Sequence, residues 1–162
     1  MNIAVIAANG RSGRVFVDEA LAAGHSIRAG VHGEVDFEMQ PNLTVVSCDA
    51  TKVDDLERLI EGQDVVVSLI GHGKNSPPHL QTDAMKALRT AMKRAHVSRC
   101  VSLTGTGVRF PVEKITLIDR ILNAAVGVVD PARVRHGRDH VAFLQQTDLD
   151  WTVLRVLKLE NI

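Results

Sequence analysis

The chain has 162 residues, enough for one domain with its own core, and its 45% hydrophobic and 23% charged content excludes a mainly disordered chain. Lys plus Arg and Asp plus Glu both number 19. With no basic excess there is no electrostatic footprint for a nucleic-acid partner. No apolar run approaches the roughly 20 residues that span a bilayer, and the N-terminus lacks the basic start and cleavage site of a signal peptide, so the expectation is a cytoplasmic protein without a membrane partner. The two cysteines, Cys48 and Cys100, lie in or beside predicted strands and read as small buried hydrophobes in a reducing compartment.

Short apolar runs alternate with helical periods along the chain. That pattern predicts βαβ units around a parallel sheet whose strands are buried on both faces. The first strand is expected over 3–7. A helix follows over about 12–23, with Val15, Phe16, Val17, Ala20 and Leu21 as its apolar side and Gly24 to end it. Strands are expected over 26–31 and 43–47. Thr51-Lys52-Val53-Asp54 resembles a capping box, and the helix it opens carries Val53, Leu56, Leu59 and Ile60 on one face before Gly62 stops it. Residues 65–70 form the fourth and clearest strand. After a loop over 74–78, Leu80, Ala84, Leu88, Ala91 and Ala95 make an apolar stripe on the next helix. The fifth strand is expected over 99–104. Ile115, Ile118, Leu122 and Ala125 mark another amphipathic helix, Asp130-Pro131 starts a last helix that runs to about Gln146, and a sixth strand follows over 151–156. No repeat, low-complexity segment or linker interrupts this, so 1–162 reads as a single domain. The expected class is α/β: a Rossmann-like, doubly wound parallel sheet of about six strands, order 3-2-1-4-5-6.

The chemistry-bearing motif is the turn Ala7-Ala8-Asn9-Gly10-Arg11-Ser12-Gly13, which leaves the first strand and opens a helix. A dinucleotide site needs this arrangement. Glycine lets the backbone approach a pyrophosphate, and the free N–H groups of the helix start hold its charge. Gly13 would let the helix pack close to the first strand. Ala7 stands where the first glycine of such a turn is usual, and a slightly wider turn would accommodate its methyl group. A plain strand-to-helix turn is the alternative.

This turn resembles the Gly-Ala-Thr-Gly-Arg-Thr-Gly turn of the atypical short-chain dehydrogenase/reductases. More narrowly the chain is similar to the NAD(P)-binding NmrA-like and biliverdin-IX-beta (flavin) reductase group. Gly24-His25-Ser26, the run from Gly62 to Gly71, and Leu149-Asp150-Trp151-Thr152-Val153-Leu154-Arg155 carry the same resemblance. It implies a nicotinamide cofactor held by Asn9, Gly10, Arg11, Ser12 and Gly13. An acid at the end of the second strand selects NAD, and a basic residue accepts the 2′-phosphate of NADP. Here Val31-His32-Gly33 stands at that end, where the family places Arg at His32, and Arg11 is a second cation. The preferred cofactor is therefore NADP, with NAD possible and a solvated loop histidine as the alternative reading of His32. Asp49 stands where the family has an Asp beside the adenine, although it could equally cap a turn. Ile70 and Gly71, with His72-Gly73-Lys74 after them, would line the nicotinamide-ribose side. This is not a P-loop, because the Gly-Lys-Ser/Thr ending is missing.

The chain has no tyrosine, which excludes the Ser-Tyr-Lys mechanism of typical short-chain dehydrogenases. The flavin and biliverdin reductases also do without it, since an oriented hydride donor meets most of their need. Two candidate catalytic groups remain. Thr104, or Thr106, lies at the end of the fifth strand, where Gly105 stands in place of an expected Ser; either hydroxyl could be only a strand-end hydrogen bonder. His136, in His136-Gly137-Arg138-Asp139-His140, resembles a His-x-Arg-x-His stretch of the flavin reductases and could donate a proton. A solvated helix face is the alternative there. No metal site is expected, because two histidines at this spacing lack a third ligand. The resemblance implies more chain beyond the sixth strand, so the substrate part is expected to be short or missing. The expected function is an NADPH-dependent reductase of a flavin-like or quinone-like small-molecule acceptor, as monomer or homodimer. The alternative is a non-catalytic regulator that senses NADP(H) or binds a partner. A nucleotide-sugar epimerase is disfavoured without tyrosine and a sugar domain.

Overall fold

The structure is a computed structural model and describes residues 1–34, 37–71, 77, 79–105, 139 and 141–156. In chain order the elements are β1 (Asn2–Ile6), α1 (Arg11–Ala22), β2 (Ser26–Val31), β3 (Leu43–Ser47), α2 (Val53–Ile60), β4 (Val65–Ser68), α3 (Leu80–Arg94), β5 (Arg99–Gly105) and β6 (Asp150–Val156). The six strands form one sheet in the order β3-β2-β1-β4-β5-β6, every pair parallel. This is the expected Rossmann-like α/β fold.

Period-2 alternation divides the strand residues between two cores. Ile3 and Val5 of β1, Val65 and Val67 of β4, and Ile27, Ala29 and Val31 of β2 pack with Val17 and Ala20 of α1. Ala4, Ile6, Val66 and Cys100 point the other way, onto Leu56, Leu59 and Ile60 of α2 and Met85, Leu88, Ala91 and Met92 of α3. With both faces covered, the strands must be apolar throughout, which is why β4 reads Val-Val-Val. Full burial of Leu56, Leu59 or Ile60 contributes about 1.5–3 kcal/mol each. Gly30 sets how closely α2 lies on the sheet, since a Cβ there would meet the Leu59 side chain at 2.6 Å. Arg28, two residues earlier on the same face of β2, donates from Nη1 to the carbonyls of Arg58, Leu59 and Glu61 at 3.2, 3.3 and 2.7 Å, satisfying the end of α2.

Several local expectations change. Val15 is 63% exposed: α1 turns Gly13, Val17 and Ala20 inward, and Val15, two residues from Gly13 and from Val17, falls on the opposite side. The buried face of α3 is wider than the expected stripe and includes Met85, Ala87 and Met92. Thr51 does not cap α2. Lys52 is the N-cap residue, and its ammonium has no acceptor with which to cap, while the Thr51 hydroxyl is donated to Asp49 Oδ1 at 2.7 Å. β1 ends at Ile6 and β4 at Ser68, each earlier than expected, while β5 extends to Gly105. α1 ends as predicted at Gly24, with a positive φ of 82° and a Schellman pair of bonds, His25 N to Ala20 O and Gly24 N to Leu21 O. Residues 141–145 are helical, as expected for the end of the last helix. The expected helix over Ile115–Ala125, the Asp130-Pro131 start, the run His72-Gly73-Lys74 and positions 75, 76 and 78 of the loop lie outside the described residues.

Candidate functional site

The carboxyl ends of β1, β2, β3, β4 and β5 meet on one edge of the sheet, and the turn 7–10 sits at its middle. Ala7 takes the left-handed conformation, φ 61°, which favours glycine. The methyl group is accommodated at a conformational penalty of roughly 1–2 kcal/mol. The turn is closed by Gly10 N donating to Ala7 O at 3.1 Å and tied to β2 by Ala8 N donating to Gly30 O at 3.0 Å.

Gly13 is the contact on which the turn depends. A Cβ there would lie 2.3 Å from Ala7 O and 2.5 Å from Ala8 O, so only glycine lets α1 start this close to the end of β1. The first amide of the helix that finds a carbonyl is Arg14 N, on Gly10 O at 2.9 Å. The amides of Arg11, Ser12 and Gly13 have no intrahelical partner, as at any helix start. Among the described residues no side chain caps them: Gly10 as N-cap supplies no side-chain oxygen, and the first turn of α1 holds no acidic residue, whereas α2 has Asp54 and Asp55 there. A positive helix end with open donors at a close-packed glycine turn fits a bound diphosphate.

Asn9 ties this turn to the neighbouring strand end. Its Nδ2 donates to the His32 carbonyl at 2.9 Å, and its own carbonyl accepts from Arg14 Nε at 3.4 Å. The Arg14 guanidinium also lies over the Phe37 ring, 5.1 Å from the centroid. His32 is exposed at the end of β2, and Arg11 is exposed at the start of α1. Asp49, just past β3, caps a turn: its Oδ1 accepts from Thr51 N at 3.0 Å as well as from the Thr51 hydroxyl. These bonds, the hydroxyl first, hold the Asp49 carboxyl below the usual carboxylate range, with smaller help from Lys52 and His32. Asp55 is lowered chiefly by the Asp49 amide, which donates to its Oδ2 at 3.0 Å, and then by Arg58.

On the other side of the turn, Leu69 N donates to Ile6 O at 3.1 Å and carries the chain from β4 across the end of β1. The Ile70 carbonyl accepts from Gln81 Nε2 at 3.0 Å, and Gly71 is exposed. Ser68, Ile70, Gln81, Met85 and Leu103 line a narrow cleft here. Among the described residues, the buried polar side chains are Ser68 and Ser102, which face each other in the β4–β5 register. Thr104 is in β5 opposite Arg155 of β6, but its side chain lies outside the described residues. His136 and Thr106 lie outside them altogether.

The structure therefore brings Asn9, Gly10, Arg11, Ser12, Gly13, His32, Asp49, Ile70 and Gly71 to one edge. Sequence reasoning missed Arg14, Gln81, Ser68 and Ser102. A usable signal existed for Ser68, a polar residue closing an otherwise apolar strand, but not for Gln81, whose partner is a main-chain carbonyl. Among the described residues no cluster of metal ligands occurs and no helix is long and apolar enough to cross a membrane. Both thiols are buried, and burial pushes Cys48 and Cys100 up to about 12.

Comparison with known proteins follows the same lines. The sequence model of a family described as NAD(P)H-binding matches residues 7–162. Among solved structures, the chain is similar to a proposed NADH-flavin reductase from Streptococcus pneumoniae, at 23% identity and TM-score 0.73 over 96% of this chain and 71% of that one. A short-chain dehydrogenase/reductase from Veillonella parvula, solved with NADP, matches at 16% identity and TM-score 0.69, covering 95% of this chain and 68% of that one. An enzyme from Bordetella bronchiseptica solved with NAD+ matches at 17% identity and TM-score 0.69, covering 95% and 55%. At these identities the structures establish a shared fold.

Proposed function

The chain belongs to the NAD(P)H-binding family, and from that premise we propose that it binds NADP(H) and serves as a reductase of a flavin-like or quinone-like small molecule, in the manner of the atypical short-chain dehydrogenase/reductases. The observation that carries the binding half is the close-packed start of α1, where Gly13 sits against two carbonyls and, among the described residues, no side chain caps the amides of Arg11, Ser12 and Gly13. In this reading those amides hold the pyrophosphate. Asn9 keeps the turn and the end of β2 in fixed relation through its bond to His32. His32 and Arg11 are the cations for a 2′-phosphate, which favours NADP(H) over NAD(H). Asp49 flanks the adenine, and Ile70 and Gly71 flank the nicotinamide ribose, where the absence of a side chain at Gly71 leaves room for it.

A bound dihydronicotinamide supplies a hydride, so the protein's own task is orientation, exclusion of water and delivery of a proton. With no tyrosine in the chain, the proton must come from another group or from solvent. Thr104 and His136 are the residues proposed for contact with the reacting end. Flavin-like and quinone-like acceptors suit such a site, because holding donor and acceptor together supplies most of what they need. The name of the Streptococcus pneumoniae neighbour points the same way.

The test is NADPH oxidation with riboflavin phosphate or a quinone as acceptor, alongside NADPH titration of wild type and Gly10→Val. Turnover that disappears in Gly10→Val together with nucleotide binding is the expected result. Unchanged titration of the variant would remove the site. A second reading, a non-catalytic sensor of NADP(H), is favoured by the missing tyrosine; tight binding without turnover of any acceptor would select it.

A further inference from the structure

We propose that Gln81, at the start of α3, is a positioning residue for the nicotinamide half of the bound nucleotide: through the Ile70 carbonyl it fixes the direction in which the Gly71 amide is offered to that half. The inference rests on the dinucleotide reading above and gives a role to a residue which that reading does not use.

The crossing from β4 to α3 leaves the sheet with few ties. Leu69 N donates to Ile6 O at 3.1 Å, the last main-chain bond to a neighbouring strand among the described residues of this crossing. One residue later the Ile70 carbonyl accepts from Gln81 Nε2 at 3.0 Å. Among the described residues no other side chain bonds the stretch 69–71. That one bond has reach because a peptide unit is planar. The Ile70 carbonyl and the Gly71 N–H belong to the same trans unit and point in opposite directions. Holding the oxygen towards α3 therefore aims the N–H away from α3. Among the described residues no main-chain oxygen accepts from that N–H, and a Cβ built on Gly71 would meet nothing within 4 Å. A donor with space beside it suits an oxygen of the nicotinamide side of the ligand.

The support behind the bond is rigid. Gln81 stands one turn ahead of Ala84 and Met85, each 1% exposed, on the side of α3 that enters the core with Leu88, Ala91 and Met92. An amide there brings a donor to the carbonyl without burying a charge. Without the donor the peptide between Ile70 and Gly71 is free to turn about its flanking dihedrals, and a ligand has to order it on binding. The cleft around the bond is lined by Met85 and Leu103 as well as Ser68. An unbranched apolar side chain of similar length, as in Gln81→Met, can therefore take the glutamine's space and lose only the hydrogen bond.

The experiment measures Kd for NADP+ and NAD+ and for their adenosine halves, 2′,5′-ADP and ADP, on wild type, Gln81→Met and Gln81→Glu, with Tm alongside. In Gln81→Met the dinucleotides are expected to bind about five- to tenfold more weakly, the worth of one hydrogen bond, while the adenosine halves stay within about twofold of wild type. Gln81→Glu keeps the shape but sets a carboxylate against the carbonyl. It should show the same split at about pH 8 and a smaller one towards about pH 5, where a protonated carboxyl donates again. Arg28→Met, which loosens the end of α2 away from this edge, should leave dinucleotides and halves in the wild-type ratio. Wild-type dinucleotide affinity in folded Gln81→Met, an equal loss for the adenosine halves, or a Gln81→Glu split indifferent to pH overturns the inference and leaves the dinucleotide site standing. Failure of wild type to bind either dinucleotide overturns the dinucleotide reading itself, and this inference with it.

Discussion

Gly13→Ala and Gly10→Ala add the same methyl group three residues apart and should have opposite consequences. At Gly13 the new Cβ would stand 2.3 Å from Ala7 O and 2.5 Å from Ala8 O, both main-chain atoms that cannot rotate away. To reach the roughly 3.0 Å floor of real contacts, α1 has to withdraw by about 0.7 Å. A gap of that size forfeits a quarter to a half of the dispersion energy of the atoms it separates. The side chains that lose contact are Val17, wholly buried, and Ala20, 7% exposed. Burial of a valine is worth about 1.5–3 kcal/mol, and overpacking strain adds about 1–3 kcal/mol. Removing a glycine from a helix returns up to about 1 kcal/mol. The net expectation is a loss of about 1–3 kcal/mol, a fall in Tm of roughly 3–10 °C for a chain of this size.

At Gly10 the methyl group would stand 3.2 Å from Ala7 O, and the residue's φ of −70° suits alanine. Its stability should change by less than about 0.5 kcal/mol. Its methyl group, however, lies on the turn that the diphosphate must approach, so nucleotide affinity should fall at least tenfold. Thermal unfolding by circular dichroism and NADPH titration separate the two variants. Gly13→Ala with a wild-type Tm would refute the close-packing argument, and Gly10→Ala with unchanged affinity would remove the turn from the binding site.

Three further outcomes follow from single contacts. His96 ends α3 at φ 55°, in a Schellman arrangement in which Val97 N donates to Met92 O and His96 N to Lys93 O, so His96→Gly should raise Tm by a few degrees, about 1 kcal/mol; an unchanged or lower Tm counts against that geometry. Arg28→Met keeps the apolar stem but takes the guanidinium from three carbonyls at the end of α2, of which Glu61 O keeps Gln63 Nε2 at 3.4 Å, and urea unfolding should show a loss of about 1–2 kcal/mol. Cys100 is pushed up to about 12 by burial, so the unfolded chain ionises first as pH rises above 9 and stability should decline from there until the folded thiol also titrates. The decline should be partly removed in Cys100→Ala, and both thiols should resist a disulfide reagent at neutral pH until the chain unfolds; rapid native labelling would contradict their burial.

Strand order and helix faces were readable because a sheet covered on both sides demands unbroken apolar runs. Val65-Val66-Val67 admits almost no other reading, and Leu56, Leu59 and Ile60 share one side of any helix. The expectations fail where a neighbouring group or the phase of an element overrides residue identity. Thr51 has the right identity and place for a cap, yet Asp49, two residues earlier, offers a carboxylate that takes its hydroxyl. Asp49 itself was read with two roles, of which the turn is the one the contacts display. Val15 was counted inward because it is apolar, but helical phase sets direction, and Gly13 with Val17 had already fixed that phase. At Ala7 the closing bond from Gly10 N and the approach of Gly13 hold the carbonyl in place, and the residue takes a positive φ that no sequence pattern announces.

That constraint explains why the groups proposed to bind collect at this edge. In a parallel sheet all strands end together, so every chain crossing from a strand to the next element exposes its main chain at the same level. Ala7, His32, Asp49 and Ile70 all stand one or two residues past their strands, and each accepts a bond from its own turn, a neighbouring crossing or the next helix: from Gly10 to Ala7, Asn9 to His32, Thr51 to Asp49, Gln81 to Ile70. The bonds are mostly to main-chain oxygens and so leave several side chains and helix-start amides facing outward. A ligand that spans the edge can then meet groups from β1, β2, β3 and β4 at positions set before it arrives, which lowers the ordering cost of binding. Asn9 is the member that joins the turn proposed to hold the phosphates to the residue proposed to select the nucleotide. Loosening it should therefore weaken NADP+ more than NAD+, because only the phosphorylated nucleotide needs both ends of that bond at once.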